Sequence, residues 1–199
     1  TTTDYVARRG RSSLTFQYKH NAGQQTRIDP SVSNIVDVYM LERTYDNLYR
    51  IWLQDGGIKP ITSTADQMRI SYSGTLNPLK SLSDQIIYHP VKYKILFGTN
   101  ADEELQATFK VVKNLKTNIT DAVVKTRVIN AINQFFALDN WDFGDTFYFT
   151  ELAAFVHNQL APHLMTVVIV PNQSGHGFGS LFQIISAADE IFISGATVN

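Results

Sequence analysis

Residues 139–149 read Asp139-Asn-Trp-Asp-Phe-Gly-Asp-Thr-Phe-Tyr-Phe149 and lie between two segments with helical sequence patterns. This stretch, called the aromatic joint below, holds five aromatic residues and three aspartates. Aromatic side chains carry a large apolar area, which is unfavourable in water unless the fold or a partner covers it. We therefore interpret the aromatic joint as an assembly joint and not as a catalytic loop.

The segments on either side of the joint predict helices. Asn118 is placed to cap the first helix, with Asp121 as a favourable carboxylate in its first turn. Apolar residues at helical spacing predict the buried stripe of this helix: Val124, Val128, Ala131, Ile132, Phe135 and Phe136. The same spacing predicts a second helix after the joint, before Pro162, from Leu152, Phe155, Val156 and Leu160.

Alternating apolar residues predict strands around these helices. Residues 91–97 and 105–111 alternate on either side of Gly98-Thr99-Asn100, a pattern typical of a β-hairpin with one buried face. Three further strand runs cover residues 165–170, 181–186 and 190–194. For residues 86–199 the sequence therefore predicts an α+β domain, a two-layer sandwich of mainly antiparallel sheet with two helices on one face.

The sequence of residues 1–85 predicts two further regions. Residues 1–33 are polar and lack periodicity, which indicates an arm that needs a partner to be ordered. Residues 34–85 predict a small mixed α/β unit that begins with a strand at 35–41. Two helices follow: one ends at Gly56-Gly57, and the other runs from Thr64 to about Tyr72, with Gly74 expected to stop it.

The composition excludes several classes of function. Only 18% of the 199 residues are charged, against a typical value of about 25%, and the net charge is −1. We therefore expect no nucleic-acid partner, since no strong positive field is present. The chain has no cysteine, which removes disulfides, thiolate catalysis and cysteine zinc sites and fits a reducing compartment. No apolar run approaches the ~20 residues that cross a bilayer, so we expect no membrane partner.

Three aspartates offer the best catalytic alternative. Asp139, Asp142 and Asp145 supply oxygen ligands of the kind that a hard cation prefers, and would suit a metal-dependent hydrolase. Aromatic residues fill the positions between them, however, without the register of a calcium loop. His157 and His163 are six residues apart and miss the spacing that places two imidazoles on one helix face. We expect turn-forming carboxylates and predict no catalytic, cofactor or metal site.

Five aromatic residues are candidates for an interface. Tyr45, Tyr49 and Trp52 share one face of the first predicted helix, as an oligomer contact requires. If exposed, they would instead suit a carbohydrate- or peptide-binding module. Trp141 and Phe143 lie in the joint, where they either close the domain or reach into a neighbour. Strand alternation predicts that Phe147 and Phe149, also in the joint, point inward.

Several motifs resemble one family. These are Arg27-Ile-Asp-Pro-Ser31, Asn34-Ile-Val-Asp37, Ser83-Asp-Gln-Ile-Ile-Tyr-His-Pro-Val-Lys-Tyr-Lys94, Asn133-Gln-Phe-Phe136 and Asn140-Trp-Asp-Phe-Gly-Asp-Thr-Phe-Tyr-Phe149. They resemble the baseplate wedge protein of T-even-like contractile-tailed phages, which forms the inner ring of the baseplate. The resemblance spans roughly residues 15–199, and the joint is its most specific part. The order of elements is also similar to the wider baseplate J-like group of contractile injection systems.

This resemblance implies a structural role in the virion. The chain would be the C-terminal part of a longer wedge subunit, and its start without an initiator Met agrees with that expectation. It would form a homodimer or a higher ring assembly and bind other baseplate wedge proteins, after assembly in the host cytoplasm. The resemblance carries over no catalytic residue, cofactor or small-molecule substrate.

Overall fold

The protein has an α+β fold, as predicted. The computed structural model describes residues 5–7, 16–18, 35–77, 85–172 and 183–197. The chain divides into two compact units, Thr1–Val91 and Lys92–Asn199, called unit 1 and unit 2 below. The boundary predicted from the sequence lies six residues earlier, between residues 85 and 86.

Unit 1 combines short strands with two helices. Its described elements are β1 (Tyr5–Ala7), β2 (Phe16–Tyr18), β3 (Ile35–Met40), α1 (Arg43–Asp55), α2 (Ala65–Leu76) and β4 (Gln85–Pro90). Strands β1 and β2 pair antiparallel, so the predicted polar arm contains regular structure. The rest of residues 1–33 lies outside the described residues.

The centre of unit 1 is a parallel strand pair connected through the two helices. Strand β3 runs parallel to β4, with Val38 opposite Tyr88. Met40 and Tyr88 from this pair bury their side chains against Met68 and Leu76 of α2. A parallel pair requires a long crossover connection, which α1 and α2 supply.

The ends of α1 and α2 follow local chemistry. Gly56 adopts φ +75° and its N–H bonds to Trp52 O at 2.9 Å, which ends α1 where predicted. Thr64 begins α2 with a capping box to Gln67. The prediction that Gly74 ends α2 is wrong. The helix continues to the fully buried Leu76, and burying a leucine offsets the ~1 kcal/mol that a helical glycine costs.

Unit 2 contains two helices and six strands among its described residues. They are β5 (Lys92–Leu96), β6 (Ala107–Lys113), α3 (Asp121–Phe135), β7 (Thr146–Tyr148), α4 (Phe149–Leu160), β8 (Leu164–Pro171), β9 (Gln183–Ile185) and β10 (Glu190–Ser194). In the described residues these strands pair two by two: β5 runs parallel to β10, β6 antiparallel to β8, and β7 antiparallel to β9.

The predicted hairpin between residues 91–97 and 105–111 is wrong. One hydrogen bond joins the two segments, from Phe97 N to Leu105 O at 3.1 Å, and each strand then takes a different partner. The reason lies in β10, where Ile191, Phe192 and Ile193 are all buried. Such a continuous apolar run is typical of a strand in a parallel pair that is covered on both faces, and it takes the place beside β5.

The two helices of unit 2 bury their predicted stripes. Val124, Val128 and Ile132 of α3 and Leu152 and Val156 of α4 enter one core with the buried faces of the strands. The predicted N-cap Asn118 is wrong, because Thr120 caps α3 and accepts a hydrogen bond from Val123 N. Asn and Thr are both favourable N-cap residues. Thr120 is the cap here because the helix begins at Asp121.

Candidate interaction surfaces

The aromatic joint lies shortly after helix α3 and contains strand β7. The last carbonyl groups of a helix have no partner within it. In the joint, Asn140 Nδ2 donates to Gln134 O at 2.9 Å, and Trp141 Nε1 donates to Phe135 O at 2.8 Å. Gly144 then turns the chain with φ +76°, a conformation that favours glycine. Side chains of the joint therefore cap the C-terminal end of α3, whose helical residues stop at Phe135.

The interface candidate Trp141 packs inside unit 2. Its ring stacks on Phe136, with centroids 5.5 Å apart and planes at 14°. It also meets Phe192 edge-on at 5.1 Å. Trp141 thus contacts its own domain on two sides. The other joint candidate, Phe143, is partly buried.

Phe147 lies at the centre of the joint's apolar contacts and is fully buried. Six aromatic rings lie within 6.2 Å of its ring: Phe97, Phe135, Phe136, Trp141, Phe149 and Phe192. Most of these pairs are edge-to-face or tilted, which are favourable arrangements for aromatic rings. Phe149 is buried as predicted, but as the first residue of α4 and not by strand alternation.

One residue of this ring cluster has a strained backbone. Phe97 adopts φ +66°, a region that bulky residues rarely occupy, and Gly98 follows with φ +72°. A Cβ atom on Gly98 would lie 1.8 Å from Gly195 O, so no other residue fits there. The Phe97 ring meets Phe109 at 4.9 Å. Ring packing thus holds Phe97 in place, and the strain has a structural cause.

The three aspartates of the joint take different structural positions. Asp139 is exposed in a short 3₁₀ turn, whereas the Asp145 carboxylate accepts a hydrogen bond from Asp142 N at 2.6 Å. The backbone oxygen of Asp145 accepts bonds from Ser186 N and Oγ at 3.0 and 2.8 Å. Within the described ranges no three His, Asp or Glu side chains are grouped to hold a metal ion.

The aromatic stripe of α1 is largely internal to unit 1. Tyr45 and Tyr49 are buried and their rings are 5.3 Å apart, while Trp52 is partly buried and meets Tyr49 edge-on at 5.2 Å. Lys59 Nζ lies 5.6 Å from the Trp52 ring centre. The exposure that a carbohydrate- or peptide-binding module requires is thus absent at Tyr45 and Tyr49.

The most exposed large apolar side chains described in unit 1 are aliphatic. In the loop between α1 and α2, Ile58 is 94% exposed and Ile61 is 90% exposed. Further large aliphatic residues are exposed on the adjoining helices: Leu48, Ile51 and Ile70. We call these five residues the aliphatic surface. Full burial of one isoleucine is worth about 1.5–3 kcal/mol, so covering this surface would be favourable.

The loop that carries Ile58 and Ile61 is anchored at both ends. Trp52 Nε1 donates to Gly57 O at 3.3 Å at its start. At its end, Ser63 Oγ donates to Glu42, which also accepts a bond from Tyr72 OH at 3.0 Å. Burial raises the pKa of Tyr72, and its hydrogen bond to Glu42 and the charge of Glu42 raise it further. The phenol therefore remains a donor at neutral pH.

The aliphatic surface was not predicted from the sequence, because the interface prediction rested on aromatic residues alone. The missed signal is Gly56-Gly-Ile-Lys-Pro-Ile61, in which two isoleucines stand among residues that interrupt regular structure. An apolar residue in such a segment has no helix or strand face that would bury it. This pattern indicates exposure more directly than aromatic content does.

Comparison with known protein families finds no matching family model. Comparison with curated proteins finds no match either. In the parts of the chain that the structure describes, no helix has both the length and the apolar character needed to span a bilayer.

Proposed function

We propose that this chain is a structural virion protein, a subunit of a phage tail baseplate wedge that associates with itself and binds other wedge proteins. The motifs that resemble this family support the proposal, and the joint is the most specific of them. In the structure the joint caps α3 and contributes to the core of unit 2. The resembling segment therefore serves the fold, and partner binding requires another surface.

The observation that carries the proposal is the aliphatic surface of unit 1. Ile58 and Ile61 are almost fully exposed on a loop whose two ends are held by hydrogen bonds. An anchored loop loses little further conformational freedom when a partner covers it, so burial of its isoleucines contributes to binding with a small entropic cost. A surface of this kind suits a subunit that is surrounded by neighbours in an assembly.

The hydrolase alternative receives less support. Its three aspartates occur close together in sequence, but Asp145 bonds to the backbone of the joint and Asp139 is exposed in a separate turn. Titration with Mg²⁺, Mn²⁺ or Ca²⁺ followed by thermal melting tests this alternative. A melting temperature that rises with free ion would favour the hydrolase, because an ion bound to the native state stabilises it.

The proposed role is tested by measuring the molar mass of the chain at several concentrations, with size-exclusion chromatography and light scattering. We expect the mass to rise with concentration for the unmodified chain. The double variant Ile58→Ser with Ile61→Ser should remain a monomer at the same concentrations.

Met165→Ser is the matched control, since Met165 is 64% exposed and lies in unit 2. It should associate like the unmodified chain. A strict monomer at every concentration, or equal loss of association in both variants, would contradict a role for the aliphatic surface in self-association. Co-purification with tail proteins encoded beside its gene tests the baseplate assignment separately.

A further inference from the structure

Unit 2 contains an open groove between strand β6 and helix α3. Its volume is about 860 Å³. Phe109 and Val111 of β6 line one wall, and Val124, Val128 and Ile129 of α3 line the other. These α3 positions recur at helical spacing and so form one face. The groove therefore has two apolar walls, one from a strand and one from a helix.

The backbone of β6 presents a free edge to this groove. In the described residues β6 pairs with β8 alone. Asn172 N donates to Gln106 O at 3.0 Å, so hydrogen bonds to β8 fall at every second residue counted from Gln106. The register agrees, because Pro171, which lacks an N–H, stands opposite Ala107, outside the hydrogen-bonded set. The N–H and C=O groups of Ala107, Phe109 and Val111 therefore face away from β8.

The first backbone group along this edge already has a hydrogen-bond partner within the chain. Leu105 belongs to the same alternate set, and its carbonyl accepts the hydrogen bond from Phe97 N at 3.1 Å. Beyond that point β5 leaves to pair with β10, and the edge of β6 continues without a strand partner among the described residues. The groove thus lies where the partner strand of a hairpin would lie.

The charged residues around the two walls indicate the charge of the segment that the groove would bind. Residues 106–137 contain five basic residues, Lys110, Lys113, Lys116, Lys125 and Arg127, and one acidic residue, Asp121. Five positive charges and one negative charge give this segment +4, whereas the whole chain has a net charge of −1. Lys113, Lys125 and Asp121 line the groove itself, and Lys113 forms an ion pair with Asp121, so the groove lining has a net charge of +1. A segment with acidic side chains is therefore favoured over a basic one.

We propose that the groove binds an extended acidic segment of a partner protein, which adds as a strand to the free edge of β6. Main-chain hydrogen bonds supply part of the affinity in this mode, and alternate side chains enter the groove. Strand β6 has seven residues, so at about 3.4 Å per residue a partner strand of similar length spans the site. A second copy of β6 is disfavoured, because it would bring two further lysines, its own Lys110 and Lys113, to a groove whose lining is already positive. This proposal does not depend on the baseplate role.

The test is a fluorescence anisotropy titration of the full chain against a labelled nine-residue peptide of alternating Glu and Val. We expect saturable binding that weakens as salt rises. The same peptide with Lys in place of Glu should bind at least roughly tenfold more weakly, since like charges across an interface are unfavourable. A Glu-Val peptide with N-methylated amides should lose binding, because it cannot donate to the strand edge.

Two pairs of measurements place the binding in the groove. Lys125→Glu reverses a charge that lines the groove and should weaken binding roughly fivefold, while Lys110→Glu makes the same change in net charge outside the groove lining and should have little effect.

Val111→Pro removes one N–H from the free edge without affecting the ladder to β8, and should abolish binding. Circular dichroism checks that this variant folds, and the N-methylated peptide provides the same test if it does not.

Several results would overturn the proposal. They are equal binding of the Glu and Lys peptides, unchanged binding by the N-methylated peptide, equal weakening by Lys125→Glu and Lys110→Glu, and no binding of the acidic peptide. Self-association of the chain that Val111→Pro abolishes would show that the occupant is a second copy, and would also overturn it.

Discussion

The ring cluster of unit 2 and the aliphatic surface of unit 1 are both apolar, but they differ in what covers them. In unit 2, six rings surround Phe147, and the joint that looks like an interface in the sequence is packed against its own domain. In unit 1, Ile58 and Ile61 belong to a loop that leaves them in solvent. In these two segments the surrounding elements, and not the size of the apolar residue, thus decide its exposure.

The difference follows from how the two segments connect to the chain around them. The joint begins four residues after the end of α3 and contains β7 and the first residue of α4, so three elements bring their apolar faces to it. The loop between α1 and α2 has helices at its ends only, and its hydrogen bonds come from the residues that flank the isoleucines. Burial of apolar side chains therefore requires helices or strands on several sides, and a loop between two helices lacks them.

The largest expected effect that tests this comparison is the loss of a central ring. Phe147→Ala should lower the free energy of unfolding by about 3–5 kcal/mol, because it removes the centre of the ring cluster and leaves a cavity. Phe136→Ala, also buried, should fall in the same range. Urea unfolding followed by circular dichroism provides the measurement.

Tyr148→Ala is the matched control for the ring cluster. Tyr148 is the next residue on the same strand but is 40% exposed. We expect a loss well below that of Phe147→Ala, since little apolar area leaves a buried site. If Phe136→Ala cost less than about 1 kcal/mol, the ring would not act as a core residue, and an interface role for the joint would return.

The next largest effect concerns the cap of α3, the helix that precedes the joint. Thr120→Ala should destabilise the protein by about 1 kcal/mol, as loss of an N-cap does. Asn118→Ala should leave stability within about 0.5 kcal/mol, since Asn118 is exposed outside the helix. The two variants are compared by urea unfolding, and equal effects would mean that the cap is not fixed at Thr120.

The sequence predicted the elements of the fold better than their partners. Helical spacing identified the stripes of α3 and α4, because that period depends on local geometry. The alternation in residues 91–97 and 105–111 also indicated strands, but it carries no information on which strand lies beside which. The partner of β5 is β10, nearly a hundred residues away along the chain, and the continuous apolar run of β10 was the signal for a parallel pair.

The candidate surfaces were less predictable for a related reason. Aromatic residues such as Trp141 were proposed as interface residues because of their apolar area, yet their burial depends on tertiary contacts that no local pattern encodes. The hydrogen bond from Trp141 Nε1 to Phe135 O requires the chain to return beside the end of α3. The exposure of Ile58 and Ile61, by contrast, was readable from their position among Gly56, Gly57 and Pro60.

A smaller effect is expected from the ion pair between β6 and α3. Lys113 Nζ lies 2.6 Å from Asp121 Oδ1. The hydrogen bond and the charge of Lys113 lower the pKa of Asp121 below its ordinary value of 3.8. A lowered pKa in the folded state stabilises the protein above the unfolded pKa, and this contribution disappears as the pH falls through the folded pKa. The Asp121 side chain is 82% exposed and solvent screens the pair, so its contribution should be smaller than that of the Thr120 cap.

Asp121→Asn tests this ion pair through the pH dependence of stability. The variant should be less stable than the unmodified chain at pH 7, and the difference should shrink as the pH falls below 4. Urea midpoints at several pH values provide the measurement, and added salt should reduce the difference at pH 7. A difference that is independent of pH would mean that the Asp121 charge does not contribute.

The smallest expected effect on stability comes from substitutions in the exposed loop between α1 and α2. Ile58→Ser with Ile61→Ser should change the free energy of unfolding of the monomer by no more than about 0.5 kcal/mol, because both side chains are already in solvent. Urea unfolding at a concentration where the chain is monomeric gives this value. A large loss of stability would show that the loop is covered within the monomer, and the contrast with the ring cluster would fail. An unchanged stability combined with lost self-association would instead place these isoleucines at a contact between subunits.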